Sequence, residues 1–325
     1  MDKENLSLPE VLFKTITHFA PDFLVSLSKI NDPRSPRKIT YPIQQVLLIG
    51  ILMFLLKIEA RRNIKFKFGS SAFIENIQRI GGQFYPDMPF SNTMLCGCTL
   101  NNLLKRISVD EMSVLRTKIT KSLLRKKALD QFRLNGRYYL FAIDGTGVFT
   151  FNKRHCEHCL TKTSNGKIIY YHPVLECKLV AENGLSLSVE TEFIENENEH
   201  VSKQDCELKA FYRLSEKIKK SFPQLKICLV LDSLYAAEPV FKICEGNHWA
   251  YLIVFKKGSI KSVFEEYEKL KQFTPKQRLM GTVKKGSRTY AWINDIAYKS
   301  HKLNVVECVE KAGVQEKCFV WLSSM

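Results

Sequence analysis

Hydrophobic positions change their spacing near residue 135. Before that point they recur three and four residues apart, the interval that lines up one face of an α-helix. The run Val46 to Leu56, "VLLIGILMFLL", is apolar on all sides, as suits a helix buried in a core. "SVDEMSVLRTKITKSLLRK" opens on Ser108 and Glu111, the spacing of a capping box. Met112, Leu115, Ile119 and Leu123 follow as one stripe, and Arg116, Lys118, Lys121 and Arg125 take the other face. Two connections are expected. Asn31 to Pro42 carries three prolines, and Ile77 to Ser91 carries Gly81-Gly82 and two prolines.

From Tyr138 the spacing becomes that of strands. "YYLFAID" predicts one, ending at Asp144. "KIIYYHPVLECKLVA" predicts a second, broken near Pro173, and "LSLSVETEFI" a third after a turn at Asn183-Gly184. Leu208, Phe211, Leu214, Ile218 and Phe222 then return to helical spacing, and Pro223 ends them. "LKICLVLD" is almost continuously apolar, the pattern of a strand covered on both faces. A helix stopped by Gly246 and a fifth strand, "WAYLIVFKKG", follow. The order βββ-α-β-α-β is that of a ribonuclease-H-like α/β fold with a mixed sheet. The expected organisation is a helical, DNA-binding N-terminal region over 1–135, a core over 136–258 and a β-rich segment over 259–325.

Charge adds a partner class. The chain has 325 residues and a formal net charge of +16, a field that favours polyanions such as nucleic acid. Met1 leads into the polar "DKENLSLPE", so no signal peptide is visible. Val46–Leu56 is too short for a bilayer, which takes ~20 residues. Ten cysteines without a secretory signal point to reduced thiols and a cytoplasmic location.

The candidate chemistry begins with two carboxylates. Asp144 and Asp232 each end an apolar strand, 88 positions apart. In open α/β sheets functional groups gather at the carboxyl ends of strands. In the ribonuclease-H-like arrangement these two strands are neighbours, so the carboxylates would repel unless a cation sits between them. Oxygen ligands suit Mg2+ or Mn2+. The alternative is that each Asp caps a turn, since "DGTG" and "DS" are good turn sequences.

"FAIDGTG", "RHCEHCL", "TEFIEN", "KQDCELKAFYRL" and "LVLDSLYA" together resemble bacterial insertion-sequence transposases of the DDE class. The resemblance implies metal-dependent strand cleavage and transfer on double-stranded DNA at the transposon ends, with Asp144 and Asp232 catalytic. It also implies a homo-oligomer in the active complex and no membrane partner. The family's third ligand is a Glu on a helix after a segment like "CFVWL". Here the sequence reads "CFVWLSSM", so a core truncated before that helix is expected. Glu190, Glu192 and Glu195 are poor substitutes. Two other readings are a catalytically inactive DNA-binding or regulatory remnant, and a nuclease using Asp144, Asp232 and a nearby Glu.

"RHCEHCL" supplies a further group. Cys156 and Cys159 form a CxxC half-site for structural Zn2+. His155 or His158 are candidate ligands beside them, as are His172 or Cys177 if the loop folds back. A polar turn with buried thiols is the alternative. For phosphate contacts the candidates are Arg34, Arg37, Lys38, Arg61 and Arg62, with Lys153, Arg154 and Lys162 beside the first strand and Lys256 and Lys257 after the fifth.

Overall fold

Helix and sheet divide between two units of the chain, Met1–Ala128 and Leu129–Met325. The computed structural model describes residues 8–274, 278–283, 286–313 and 315–325.

The first unit is helical: α1 (Leu8–Phe19), α2 (Phe23–Leu27), α3 (Ile43–Leu55), α4 (Ile64–Lys67), α5 (Ser71–Phe84), α6 (Gly97–Leu104) and α7 (Val109–Arg125). α3 is the apolar run, and Val46, Leu48 and Ile49 lie in the core with Leu27, Ile64, Leu95 and Leu103. Ser108 caps α7 by accepting from the Glu111 N–H at 3.4 Å. The Glu111 side chain does not close the box; it accepts from the Asn31 N–H instead. Gly81-Gly82 does not break a helix, because α5 runs through both. A Cβ at Gly81 would stand 2.6 Å from Cγ of Phe90, so glycine there admits a buried ring.

The second unit is α/β. In order it has β1 (Tyr139–Phe151), β2 (Leu160–Ser164), β3 (Lys167–Val180), β4 (Ser186–Phe193), α8 (Glu207–Ser221), β5 (Ile227–Leu231), α9 (Glu238–Asn247), β6 (Ala250–Val254), α10 (Lys261–Phe273), β7 (Arg278–Val283), β8 (Gly286–Tyr298), β9 (His301–Ala312) and β10 (Gln315–Ser323). Among the described residues ten strands form one mixed sheet, ordered β2-β3-β1-β5-β6-β10-β9-β8-β7. β4 shares with β2 the edge of β3 away from β1. β1, β3 and β4 pair antiparallel, whereas β1, β5 and β6 run parallel. α8 and α9 make the crossovers that parallel strands require. No described helix is long and apolar enough to cross a membrane.

Several boundaries differ from the sequence reading. β1 continues seven residues past Asp144, paired with β3 alone beyond the end of β5. "DGTG" is therefore extended strand and not a turn. β3 is unbroken at Pro173, which faces Gly147 beside the bulge between Gly147 and Phe149. A missing N–H is tolerated where the ladder is already irregular. β2 was not expected. Its hairpin to β3 turns on Asn165 and Gly166, both at positive φ (49° and 69°), the backbone of a type I′ turn. α9 ends on a left-handed His248 and not at Gly246. α10 was also not expected; it buries Val263 and Tyr267. The segment 259–325 is not a separate sheet, because β10 bonds to β6 at Trp321–Val254, Leu322–Ile253 and Ser323–Leu252.

Candidate functional site

The parallel pairing of β1 with β5 aligns Ala142 with Val230. Carried two residues further, that register sets Asp144 alongside Asp232. Aligned residues on neighbouring strands share a face of the sheet, so the two side chains emerge together where β5 ends, Asp144 within β1 and Asp232 just past β5. Both are exposed. Asp232 also caps the turn that follows, its Oδ1 accepting from the Leu234 N–H at 2.9 Å. The turn-capping alternative thus holds for Asp232 and fails for Asp144.

A third carboxylate enters from α8. Glu207 is the first residue of that helix and is half-buried. Its carboxyl lies against the Gly145 backbone, where a Cβ would stand 2.6 Å from Glu207 Cδ. The missing side chain at 145 is what admits it. Burial pushes the Glu207 carboxyl up, and the charges of Asp232 and Asp144 add to the rise. The Tyr235 hydroxyl stands near enough to ease that rise slightly, yet it does not reach hydrogen-bond geometry. Tyr235 is almost wholly buried, and its hydroxyl has no partner. Its ionisation is pushed far up by burial, then by Glu207, Asp232 and Asp144.

Sequence reasoning missed Glu207 and Tyr235. The signal was present. "KQDCE" places an acidic residue directly before a strong helical stripe, where the helix N-terminus favours negative charge. Glu192 is engaged elsewhere: it is buried and pairs with Arg213 and Lys217, each at 2.6 Å. Arg213 also grips Asp205 at 2.7 Å and the Phe193 carbonyl at 3.0 Å. Burial would raise the Asp205 carboxyl, but Arg213 and the Cys206 N–H hold it below its ordinary value.

The histidine–cysteine group assembles at the far end of β1. Ligand atoms of His155, Cys156, Cys159 and His172 all lie within 4.8 Å of one another, a set able to hold a metal ion such as Zn2+. Among the described residues, the three carboxylates of the acidic site are not drawn together that tightly. His158 is not in the cluster. Its Nδ1 faces the Asn196 carbonyl at 2.9 Å, and His172, carried back by β3, takes the fourth place. Cys177 is buried within β3 outside the group. Burial holds the His172 imidazole below its ordinary value, which keeps it neutral, the form that binds metals.

The basic candidates divide. Arg34 is committed to its own loop, bonded to Asp32 at 2.9 and 2.7 Å and to the Tyr41 carbonyl at 2.9 Å. Arg37, Lys38, Arg61 and Arg62 are exposed on the first unit. Lys153 and Arg154 are exposed after β1, with Arg154 stacked over Tyr170 and Lys162 over Tyr171. Lys256 and Lys257 are exposed at the carboxyl end of β6, the same end of the parallel strands as Asp144 and Asp232. The chain matches no protein-family model and no curated protein.

Proposed function

We propose that this chain cuts DNA strands by metal-dependent phosphoryl transfer, as the DDE transposases it resembles do, from a site built of Asp144, Asp232 and Glu207. The observation that carries this reading is the β1–β5 register, which extended by two residues aligns Asp144 with Asp232, with Glu207 close enough for both charges to act on it. The fold reading that goes with it is ribonuclease-H-like. It is supported by the order β4-β3-β1-β5-β6, three antiparallel strands followed by two parallel ones joined through helices.

The donor set suits a hard divalent cation, because burial, then the charges of Asp232 and Asp144, raise the Glu207 carboxyl and a bound cation would offset that repulsion. Asp144 and Asp232 would hold Mg2+ or Mn2+, which supplies Lewis-acid polarisation of the phosphate. Asp144 is fixed by the strand and Asp232 by its bond to Leu234, so both present oxygens with little reorganisation. Glu207, raised by burial and by its two neighbours, takes the proton from the attacking water at a carboxylate oxygen. The water oxygen then bonds to phosphorus as the P–O bond to the 3′-oxygen breaks, and that oxygen takes a proton from solvent, leaving a 3′-hydroxyl and a 5′-phosphate. Lys256 and Lys257 stand at the same sheet edge to hold the flanking phosphates.

The test is nicking of supercoiled DNA with Mg2+ or Mn2+. Activity is expected in the unaltered chain, with Glu207→Gln slower by roughly 10²–10⁴-fold. Asp144→Asn and Asp232→Asn are expected to be inactive. Gly145→Ala should lower the rate by displacing Glu207 while the chain stays folded, since the group it strikes is the end of a flexible side chain. Equal nicking by Asp232→Asn would refute the site. DNA binding without nicking would favour a regulatory remnant.

A further inference from the structure

Four ligand atoms converge beyond β1, and three of them, from Cys156, Cys159 and His172, stand at the spacing of a coordination tetrahedron. Cys156 Sγ lies 3.4 Å from Cys159 Sγ and 3.3 Å from His172 Nε2. Cys159 Sγ lies 3.4 Å from His172 Nε2 and 3.1 Å from His155 Nδ1. With Zn–S near 2.3 Å and Zn–N near 2.0–2.1 Å, the edges of a Cys2His2 tetrahedron come to about 3.3–3.8 Å. Four of the six edges are at or just under that range, and the other two, from His155 to Cys156 and to His172, fall within 4.8 Å. The two thiols belong to one CxxC turn, and the two imidazoles reach it from different places, His155 from the same loop and His172 from β3. His172 turns Nε2 to the thiols while its Nδ1 faces Glu195 Oε1 at 3.9 Å. A carboxylate behind a ligating imidazole is the usual outer-shell arrangement of such sites.

What the cluster holds in place is the loop that leads to Glu207. Asn196 is buried and spends every polar group on two partner segments. Its N–H donates to the His158 carbonyl at 3.2 Å and its own carbonyl meets His158 Nδ1 at 2.9 Å. Its Nδ2 donates to the Cys159 carbonyl at 3.0 Å, and its Oδ1 accepts from the Asp205 N–H at 3.1 Å. Gln204 repeats the link one residue along, accepting from the Thr161 N–H at 2.5 Å and donating to the Thr161 carbonyl at 3.0 Å. Loop 194–206 is therefore fastened to residues 158–161, whose path follows from where Cys156 and Cys159 are held.

We propose that His155, Cys156, Cys159 and His172 hold one Zn2+ as a closed structural site, and that this ion, through Asn196 and Gln204, stakes loop 194–206 and hence the start of α8. Four protein ligands leave no open position, so the ion is structural and not catalytic. The ligand set stands independently of the proposed function; only the consequence for Glu207 rests on that reading.

The test needs no DNA. Protein purified under reducing conditions is expected to carry about one equivalent of zinc by elemental analysis, as a filled site requires. His172→Ala and Cys159→Ser should lose it, and His158→Ala should keep it. Co2+ in place of Zn2+ should give thiolate charge-transfer and tetrahedral d–d bands. Removing zinc with a chelator should speed hydrogen exchange at least ~10-fold in residues 152–161 and 194–206, while β5 and β6 stay protected, as local opening predicts. Less than ~0.3 equivalent of zinc in folded protein would overturn the proposal. So would a Cys156–Cys159 disulfide in its place, or exchange in loop 194–206 indifferent to the metal. Because zinc content and exchange are read without a substrate, a failed nicking assay leaves this result standing, and the reverse holds too.

Discussion

Arg34 carries a positive charge in a basic chain, yet its guanidinium is occupied by Asp32 and the Tyr41 carbonyl. Residue type alone does not separate such an arginine from one free to meet a phosphate; the partner does. The Arg34 hydrogen bond holds the Asp32 carboxyl below its ordinary 3.8. A depressed acid stabilises the fold above its unfolded value, and that gain is lost as pH falls through the folded value. Asp32→Asn is therefore expected to cost about 1–2 kcal/mol at pH 7. The gap to the unaltered chain should close as pH falls below the ordinary carboxylate value and through the lower folded one, in urea denaturation series run across pH. At the acidic site, the two aspartates were legible because each directly follows an apolar run, although β1 continues past Asp144. For Glu207 the local signal, an acidic residue before a helical stripe, marks only a helix start; nothing local says that it will reach a glycine 62 positions earlier, at 145.

At the scale of elements, periodicity identified α3, α7 and every helix and strand from β1 to β6 except β2, and breaker residues misled. Gly81 and Gly82 look alike in sequence but occupy opposite surroundings within α5. A Cβ at 81 meets the Phe90 ring, and one at 82 meets nothing within 4 Å. Gly81→Ala should therefore destabilise by about 1–3 kcal/mol through overpacking. Gly82→Ala should stabilise by about 0.5–1 kcal/mol through helix propensity. Opposite shifts in the denaturation midpoint would bear this out, and equal shifts would contradict it. Pro173 passed through a strand for a similar reason: its neighbour across the ladder is a bulge, which only the pairing reveals. The β2–β3 hairpin could have been read, since Asn165-Gly166 is a strong turn signal. It was overlooked because β2 is only five residues long and mostly polar.

Across the whole molecule the charge of +16 is the property most directly open to experiment. If the chain binds DNA through about four phosphate contacts, affinity should fall roughly 100-fold between 50 and 200 mM salt, by release of counterions. Fluorescence anisotropy with a labelled duplex would measure it. A flat salt response would count against the exposed lysines and arginines as contacts. The sheet also shows what scale hides. The segment over 259–325 reads in sequence only as β-rich, and the structure shows β10 pairing with β6 to extend the same sheet.

Spacing, capping residues and apolar runs were enough to establish a helical first part, an α/β second part, and an aspartate, Asp232, directly after a buried strand. Those features depend on neighbours within one turn or one strand. The pairing of β10 with β6, the arrival of Glu207 at Gly145 and the exchange of His158 for His172 in the cluster belong to the folded chain alone. Each joins residues far apart in order, and such contacts follow from register and packing, which no local window of sequence contains.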